Sequence, residues 1–553
     1  MRGSPREHDE RGEEMTQRIR NWKRLLRQRM LPLAFVLVGT AGCAVGPDYM
    51  KPAAPEPQAW IEKADPKIKS EPAEFATWWK IFNDPVVDKL VDTAYRQNLD
   101  LRIAGIRILE ARAQLGVVVG DLYPQLQVAR GDYSYTSLSE NTANTTRAVD
   151  LGYGEVSLGF DAAWELDFWG KFRRAVESEY GNLEASIAGY EDILVTLTAE
   201  VARVYIFIRT VEARLAIARE NVKIQERSLQ IAKVRFKAGD VTELDVAQAG
   251  ALLSNTRASI PRLEARLRQA MNALAQLLGL LPGDVAGMLE GPGSIPTMSS
   301  EVALGVPAEL LRRRPDIRLA EAQVAAQSPR IGVAKADLYP HFSLFGSLGL
   351  RSSDASLTAA GFPRSSSLSD LWNSDSIEFF GGAGFSWDIL NYGRIRNRVR
   401  VQDARFQQLV VNYKNTVLRA YQEVEDAIAA FLRSQEEVGF LMESAKAATR
   451  SVELSQIQYR EGLVDFQRVI DSQRSQAQAQ DLLTGTEGSV AENLVAVYKA
   501  LGGGWQIRLG KDFVPAETQE EMRKRTNWGG LLSAEELKTP PDDQRMKWQR
   551  PNW

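Results

Sequence analysis

The stretch VSLGFDAAWELDFWG, residues 156–170, alternates apolar side chains with polar or small ones over most of its length. Every second residue from Val156 to Leu166 is apolar, and the positions between them are small or polar, including Asp161 and Glu165. Successive side chains of a β-strand point to opposite faces of the sheet. The pattern therefore predicts a strand with one apolar face and one polar face.

Three further segments have the same period of two. Residues 341–350, HFSLFGSLGL, and residues 376–390, SIEFFGGAGFSWDIL, each place apolar side chains on one face. Residues 124–137, PQLQVARGDYSYTS, are less regular, because the apolar side changes from Leu126 to Tyr133, and this change predicts a β-bulge. All four segments have about the ten residues that cross an outer membrane as a strand.

The chain contains two copies of one unit. Residues 99–128, LDLRIAGIRILEARAQLGVVVGDLYPQLQV, match residues 315–344, PDIRLAEAQVAAQSPRIGVAKADLYPHFSL. WELDFWGK from Trp164 matches WDILNYGR from Trp387 at an offset of 223 residues, and FKAGDVTELDV matches YREGLVDFQRV at the same offset. The sequence therefore predicts a duplicated unit of strand, strand and long helices.

Each copy has a long stretch without proline, from Pro124 to Pro261 and from Pro363 to Pro515. Apolar residues recur there every seven positions, as in coiled coils. The first seam is formed by Leu194, Val201, Ile208, Leu215, Val222, Leu229 and Phe236, with Leu197, Val204, Val211 and Ala218 at its second position. The second seam is formed by Val417, Val424, Phe431, Val438, Ala445, Val452 and Tyr459.

These seams predict helices over about residues 171–237 and 394–460, each ~100 Å long at 1.5 Å per residue. A glycine turn and a second helix follow each of them, which predicts two tall helical hairpins. Smaller helices are expected at about 86–120 and 307–336. A heptad seam seen alone fits an extended soluble scaffold better, because such seams usually serve packing only.

The N-terminus has the features of an export signal. The basic stretch RIRNWKRLLRQRM precedes the apolar run LPLAFVLVGTAG, a combination typical of a secretory signal. The single cysteine, Cys43, follows two small residues and so resembles a bacterial lipoprotein processing site, which implies acylation after export. Because Ala44 is not an aspartate, the resemblance favours the outer membrane. An ordinary signal peptide with an unmodified cysteine is the alternative.

The residue inventory disfavours an enzyme. The only histidines are His8 and His341, and Cys43 is alone, so there is little material for a catalytic triad, a disulfide or a metal site. We therefore expect no catalytic residues, no resident metal and no cofactor. A formal net charge of -3 gives no reason to expect a nucleic-acid partner. A hydrolase using a serine of the polar loops is the weakest alternative.

Four membrane strands are too few to close, because the smallest spanning barrels use about eight and an open edge is not tolerated in lipid. The chain must therefore associate. Three copies would supply twelve strands around a lumen, with the apolar faces toward lipid, and six helical hairpins would continue the tube. The expected fold class is mainly α with a transmembrane β part, in which a trimeric 12-stranded β-barrel is continuous with a periplasmic α-helical barrel.

The residues quoted above, together with CAVGPDYMKP from Cys43, resemble the outer-membrane efflux protein family, the TolC-like outer-membrane factors, and especially their lipoprotein branch. The resemblance covers roughly residues 43–505. It implies a homotrimeric, passive outer-membrane duct for small molecules. In the family a periplasmic membrane-fusion adaptor connects the duct to an inner-membrane transporter of the RND type, which supplies the energy. The duct of a type I protein-secretion system and a lipid-anchored periplasmic coiled-coil scaffold are the alternatives.

The expected organisation has six parts. Residues 1–42 form the leader with the signal peptide, and 43–85 a lipidated extended segment. Residues 86–280 and 307–505 are the two repeats, joined by a linker at 281–306 near the equator of the assembly. Residues 506–553 form a polar C-terminal tail.

The resemblance also implies a gate at the hairpin tips. Asp245 and Tyr459 match an aspartate and a tyrosine whose link holds the tip closed, and Asp471 matches an aspartate that faces the pore. Arg468 occupies a position that is a second aspartate in well-known members, so it could pair with Asp471 or Asp245. Asp245 also follows Thr242 as in a capping box.

The tip turns are expected to contact the adaptor. The residues concerned are Gly239, Asp240, Gly462 and Leu463. A left-handed turn would by itself explain both glycines.

Overall fold

The computed structural model describes residues 44–69, 74–142, 150–290, 293–296, 301–303, 307–357 and 364–532. Its main elements, in chain order, are α1 (Pro85–Gln97), α2 (Leu99–Gly120), β1 (Leu126–Ser137), β2 (Gly152–Leu166), α3 (Lys171–Ala238), α4 (Glu243–Leu278), α5 (Pro307–Arg313), α6 (Pro315–Ala336), β3 (His341–Ser353), β4 (Ile377–Ser386), α7 (Arg394–Arg460), α8 (Phe466–Ala500) and α9 (Ala516–Arg525). Two-residue strands also occur, and Ile68–Lys69 pairs in parallel with Val302–Ala303.

The four predicted strands form one antiparallel sheet in the order β1-β2-β3-β4, so β1 and β4 are its edges. One row of cross-strand neighbours joins Ala129, Phe160, Leu348 and Phe379 on the same face. In the isolated chain the last three side chains are 68, 58 and 83% exposed. This face is apolar, as the alternation predicts, and the described residues leave these three side chains largely uncovered.

The opposite face of the sheet is mostly polar. Arg130 pairs with Asp161 at 3.0 Å, and Arg351 pairs with Glu378 at 3.3 Å. Two aromatic rings interrupt this polar surface, because Phe345 and Phe380 stack on it with ring centroids 5.7 Å apart. The alternating pattern of the sequence did not single out this pair.

The bulge predicted in β1 is wrong. This strand pairs with β2 residue for residue over its whole length. The regular register places Tyr133 on the apolar face and leaves Leu126 and Val128 on the polar one, where Val128 lies opposite Asp161. A bulge would have left one residue unpaired in the ladder. The strand thus keeps its ladder hydrogen bonds, and the apolar side chains of Leu126 and Val128 lie on the polar face.

The long helices agree with the prediction to within one residue. Helices α3 and α7 contain 68 and 67 residues, so each is about 100 Å long. The second seam is buried almost throughout, including Val417, Val424 and Phe431 at 0% exposure. The first seam is buried from Leu194 to Leu215, but it drifts afterwards, and Phe236 is 44% exposed.

The buried side of α3 changes register below Leu215. It shifts by one residue relative to the first seam, from Val222 to Asn221 and from Leu229 to Ser228. Beyond Leu215 the buried side of α3 is occupied by Asn221, Gln225, Ser228 and Ala232. Between Leu215 and Ala232, α3 therefore packs mainly through polar side chains.

The two smaller helices that we predicted are each broken in two. Between α1 and α2 the side chain of Asn98 accepts the backbone N–H of Leu101 at 2.8 Å, which caps a new helix. Between α5 and α6 the break falls at Arg314, directly before Pro315. A residue before proline avoids the helical conformation, and proline suits the first helical position.

The segments at both ends of the described chain pack on the helices. At the N-terminal end, the N–H of Val45 donates to the carbonyl oxygen of Trp169 at 2.9 Å. At the C-terminal end, Phe513, Met522 and Leu532 are buried in the main core. The part of the predicted tail from residue 506 to 532 is therefore docked, and residues 533–553 lie outside the described ranges.

A buried ion triad holds the C-terminal segment. Glu191 of α3 is fully buried, and its carboxylate accepts Nε of Arg508 at 2.6 Å. Arg318 of α6 binds the other carboxylate oxygen of Glu191. The Arg318 guanidinium also lies over the ring of Trp505, and that of Arg508 lies over the ring of Phe513. The triad thus joins α3, α6 and the segment after α8.

Within the described ranges, no helix is both long enough and apolar enough to cross a bilayer.

Candidate functional site: the hairpin tips

Both hairpins turn through a glycine with positive φ. Gly239 ends α3 at φ 85°, and Gly462 follows α7 at φ 76°. Beyond Gly239 the N–H of Asp240 donates back to the carbonyl of Arg235 at 2.9 Å, and Leu463 N–H donates to Gln458 in the same way. These are Schellman turns, which favour glycine because a side chain is strained at positive φ.

A small apolar core joins the two tips. Its buried members come from α3, α4, α7 and α8, and they are Ala232, Ala249, Leu252, Tyr459, Phe466, Val469 and Ile470. The rings of Tyr459 and Phe466 lie 5.0 Å apart. This core is separate from the main core, so the lower ends of the hairpins are attached to each other through few apolar side chains.

Tyr459 is held by an arginine that the sequence did not reveal. The guanidinium of Arg235 lies 4.6 Å from the centre of the Tyr459 ring and donates to its backbone carbonyl at 2.8 Å. Burial raises the pKa of the Tyr459 hydroxyl, and the Arg235 cation offsets part of that rise. Sequence spacing gave no signal for this contact, because the two residues are 224 positions apart.

Asp245 is engaged locally. Its carboxylate accepts the backbone N–H of Thr242 at 3.1 Å and the hydroxyl of the same residue at 3.2 Å. This is the capping arrangement that the TELD spacing predicts. The Tyr459 hydroxyl has no hydrogen bond of ordinary geometry within the described ranges, so the implied Asp245–Tyr459 link is not formed in this conformation.

Asp471 and Arg468 lie on the exposed side of α8. Asp471 accepts from Gln467 at 3.1 Å and from Arg474 at 3.4 Å, and its side chain is 53% exposed. The side chain of Arg468 forms no ion pair with any described residue. The pairing of Arg468 with Asp471 or Asp245 that the sequence suggested is therefore absent, and Arg474 takes that place beside Asp471.

Polar contacts connect the hairpins above the tip. Arg214 of α3 and Asp481 of α8 form two hydrogen bonds of 2.7 and 2.8 Å. Lower down, Asn221 donates to Gln480 at 3.1 Å, and Gln473 donates to Ser228 at 2.6 Å. The donors and acceptors on α3 are seven residues apart, so they form one stripe along the helix. These bonds exchange readily with water, unlike an apolar seam.

The lowest points of the tips are exposed and partly apolar. Leu463 is 74% exposed, and Leu244 is 63% exposed at the start of α4. A single apolar side chain on a surface is ordinary, but here two lie on neighbouring turns.

No metal centre was found in the described ranges, where no three His, Cys, Asp or Glu side chains lie close enough to share an ion. A cavity of about 780 Å³ lies between α3, α6, α7 and α8, and Asp192 and Lys499 are among its lining residues. Burial and, to a smaller extent, nearby Asp316 raise the pKa of Asp192 to about 6.

Comparison with known proteins identifies the relatives of this arrangement. The family model for outer membrane efflux proteins matches residues 90–280 and 306–503, which are the two repeats. The cation efflux system protein CusC of Escherichia coli O6:H1 is 30% identical over 479 residues, covering 86% of this chain and 99% of CusC. The pyoverdine export outer membrane protein OpmQ of Pseudomonas putida is 31% identical over 486 residues, covering 86% of this chain and 97% of OpmQ.

A solved structure shows the same fold. The outer-membrane channel OprN superposes with a TM-score of 0.77 at 34% identity, over 84% of this chain and all of the OprN chain. The duplicated unit, the sheet and the paired hairpins are thus features of a known class of proteins. The chain belongs to the outer membrane efflux protein family.

Proposed function

We propose that three copies of this chain close a hollow tube in the outer membrane, and that the tube is the passive exit duct of a tripartite efflux pump. A periplasmic adaptor would connect the duct to an inner-membrane transporter of the RND type, and the transporter would supply the energy. One observation carries the proposal. Residues of the first repeat contact residues of the second repeat inside the chain, and the residues at the equivalent positions of the two repeats are exposed.

The aromatic contacts at the junction of the repeats show this. Trp169 stacks on Tyr339 with ring centroids 4.6 Å apart and donates Nε1 to the carbonyl of Pro340 at 2.8 Å. The repeat equivalents of these two aromatic residues are Tyr392 and Tyr123. In the isolated chain Tyr392 is 98% exposed and Tyr123 is 37% exposed. Tyr392 of one copy is therefore placed to pack on Tyr123 of the next.

The same relation holds for an ion pair. Lys171 at the start of α3 lies 3.3 Å from Asp337, which precedes β3. Their equivalents are Arg394, which follows the edge strand β4, and Asp121, which precedes the edge strand β1. Arg394 would reach Asp121 of the neighbouring copy.

The helices repeat the pattern a third time. Ser178, Ala188 and Val195 of α3 are at most 4% exposed, since α6 packs on this helix. Their equivalents on α7 are Val401, Val411 and Leu418, which are 48, 57 and 54% exposed. Val401, Val411 and Leu418 are thus exposed apolar side chains, each larger than the buried side chain at the same position of the first repeat. A neighbouring α2, the equivalent of α6, would cover them.

The number of copies follows from the sheet. Two copies would give eight strands, and a barrel of eight strands is filled by its own side chains. Three copies give twelve strands, which leaves room for a lumen, and they join the free edges of β1 and β4 in a closed ring. The apolar face carrying Phe160 and Phe379 would then meet lipid, and the face with the ion pairs would line the lumen.

Within this tube we assign the gate to the hairpin tips. Threefold symmetry would repeat Asp471 as a ring of carboxylates, which attracts cations. Arg468 one turn away would add three positive charges and weaken that attraction. Asp245 and Tyr459 would act through the tip, Asp245 by capping α4 and Tyr459 through Arg235. Opening would require the polar stripe between α3 and α8 to loosen.

The adaptor would contact the lowest turns. These turns are Gly239–Asp240 and Gly462–Leu463, and the exposed leucines Leu463 and Leu244 lie beside them. CusC is named for cation efflux and OpmQ for pyoverdine export, so membership of the family does not specify the cargo.

Lipidation of Cys43 is part of the proposal, although this residue lies outside the described ranges. Ala44 rests against Gly170, where a Cβ built on the glycine would come within 2.7 Å of the Ala44 side chain. Gly170 follows the end of β2 by four residues. An acyl chain on Cys43 would therefore start at the edge of the membrane-facing sheet.

Planar-bilayer recording tests the function. We expect the purified full chain to form discrete, water-filled conductances in a bilayer. Hydrolase activity without conductance would contradict the proposal, and so would a protein that stays monomeric in detergent.

A further inference from the structure

Helix α7 begins with a run of arginines that differs from its counterpart in the first repeat. Arg396, Arg398 and Arg400 follow within seven residues of the helix start, and Asp403 is the single carboxylate between residues 394 and 405. All three arginine side chains are exposed in the chain. Leu390, just before the helix, is 84% exposed. We call these four residues, Leu390 with the three arginines, the arginine patch.

The first repeat neutralises its basic residues at the same place. Arg173 lies 3.0 Å from Asp167, which also accepts two backbone N–H groups. At an offset of 223 residues Asp167 becomes Leu390 and Arg173 becomes Arg396. The second repeat has thus kept the cation and replaced its carboxylate with an exposed apolar side chain.

Two more differences between the repeats also make this end of α7 more positive. Arg398 stands where the first repeat has Ala175, and Arg400 stands where it has Glu177. In the part of the chain that the structure describes, none of the three patch arginines has a carboxylate within ion-pair distance. Arg400 donates only to the amide oxygen of Asn397, at 3.1 Å. The second repeat therefore concentrates positive charge that the described residues do not neutralise.

The position of the patch suggests its partner. Strand β4 ends at Ser386 and α7 begins at Arg394, so the patch follows directly on the edge of the apolar face. The guanidinium groups lie within about 10 Å of the helix start at 1.5 Å per residue. The headgroup layer of a bilayer extends roughly 5–8 Å beyond the hydrocarbon on each side. Leu390 would thus lie near the hydrocarbon, and Arg396 and Arg400, on one side of the helix, near the phosphate groups.

We propose that the arginine patch binds the phosphate groups of anionic phospholipids in the periplasm-facing leaflet of the outer membrane. This inference rests on the membrane placement of the sheet proposed above. Arginine suits phosphate because its planar fork donates two parallel hydrogen bonds. Arg396 and Arg400 are one helical turn apart on the same side of α7, whereas Arg398 lies on the opposite side. A basic residue near an anionic surface strengthens binding by about fivefold, so the two arginines that share a side give on the order of 25-fold.

Native mass spectrometry of the full-length trimer tests the patch. The purified protein in detergent is supplied with phosphatidylglycerol or with phosphatidylethanolamine, and the lipids retained per trimer are counted. The test variant is R396Q/R398Q/R400Q. The matched control is R227Q/R262Q/R266Q, which removes three exposed arginines from the lower helices α3 and α4.

The wild type and the control are expected to retain phosphatidylglycerol in preference to phosphatidylethanolamine. The test variant is expected to lose that preference, with at least a tenfold drop in phosphatidylglycerol affinity. Equal retention by all three proteins would overturn the proposal. So would dissociation of the test variant's trimers in lipid-free detergent, because the arginines would then bind a neighbouring copy.

The same samples separate this inference from the proposed function. Conductance and trimer mass are measured without added phosphatidylglycerol. Trimers that conduct but show no preference for phosphatidylglycerol would overturn only the proposal that the arginine patch binds lipid. Monomers without conductance overturn the duct, and the patch with it.

Discussion

Replacing Glu191 with glutamine should release the C-terminal segment. The carboxylate of Glu191 is fully buried and binds both Arg318 and Arg508. Glutamine keeps the size of the side chain but removes its charge. Arg318 and Arg508 would then be two neighbouring cations, 31 and 17% exposed, without a counter-charge.

The magnitude follows from this burial. Removing one partner of a buried ion pair costs about 3–5 kcal/mol, because the other charge stays buried and unpaired. The arginines can move toward solvent, so we expect the lower end, about 3 kcal/mol, or on the order of 100-fold in a local opening equilibrium. The effect should be confined to Trp505–Leu532, where Phe513 and Met522 are buried against the helices.

Hydrogen exchange measured by mass spectrometry is the suitable assay. Peptides covering α9 should exchange about 100-fold faster in Glu191→Gln than in the wild type, while peptides of α7 should not change. Glu453→Gln is the matched control, since Glu453 pairs with Arg450 at 2.8 Å on the surface, where both side chains are more than half exposed. Its effect should stay below about 0.5 kcal/mol. Exchange in α9 that differs less than fivefold between Glu191→Gln and the wild type would refute the reasoning.

Three further predictions concern other parts of the molecule. Asp471→Asn should change the resting conductance or the cation block of the reconstituted channel, and an unaltered current and blocker response would remove Asp471 from the gate. Asp192 has its pKa raised to about 6, so the wild type should lose more stability than Asp192→Asn as pH rises from about 4 to about 6. A carboxyl pKa raised from 3.8 to about 6 corresponds to about 3 kcal/mol of folding free energy. Thermal unfolding should therefore show Asp192→Asn to be more stable than the wild type at pH 7.5 and equally stable near pH 4. The same difference in stability at both pH values would contradict this. Cys43→Ser should abolish acylation, seen as a loss of lipid mass, yet leave trimers in the outer membrane, and the disappearance of all trimers would show that the anchor is essential for assembly.

The sequence predicted the elements of the fold well, because each depends on a local period. Alternation in residues 156–166 located β2, and the heptads located α3 and α7 to within one residue. The duplication showed that the order of strand, strand and long helices occurs twice in the chain. The polar interval near Ser228 was not foreseen, because the buried positions shift by one residue below Leu215, from Val222 and Leu229 to Asn221 and Ser228.

Side-chain partners distant in the sequence were the part that could not be predicted. The register of β1 depends on its pairing with β2, and the pattern of β1 alone fits either face. Arg235 and Tyr459 meet only because two hairpins lie side by side. Asp245 was foreseen as a cap, since its partner Thr242 is three residues away. Local contacts were thus predictable, and contacts between hairpins needed the structure.

The central claim is that the chain closes a ring with two copies of itself, and cross-linking at the junction tests it most directly. In a Cys43→Ser background, Tyr123→Cys with Tyr392→Cys places one thiol at each outer end of the protomer. Trp169→Cys with Tyr339→Cys, the equivalent pair whose rings lie 4.6 Å apart within the chain, is the control. With a short bifunctional thiol reagent, the account predicts covalent dimers and trimers and nothing larger for the first pair, and cross-linked monomers for the control. Only monomers from the first pair, or an open ladder beyond trimer, would contradict it.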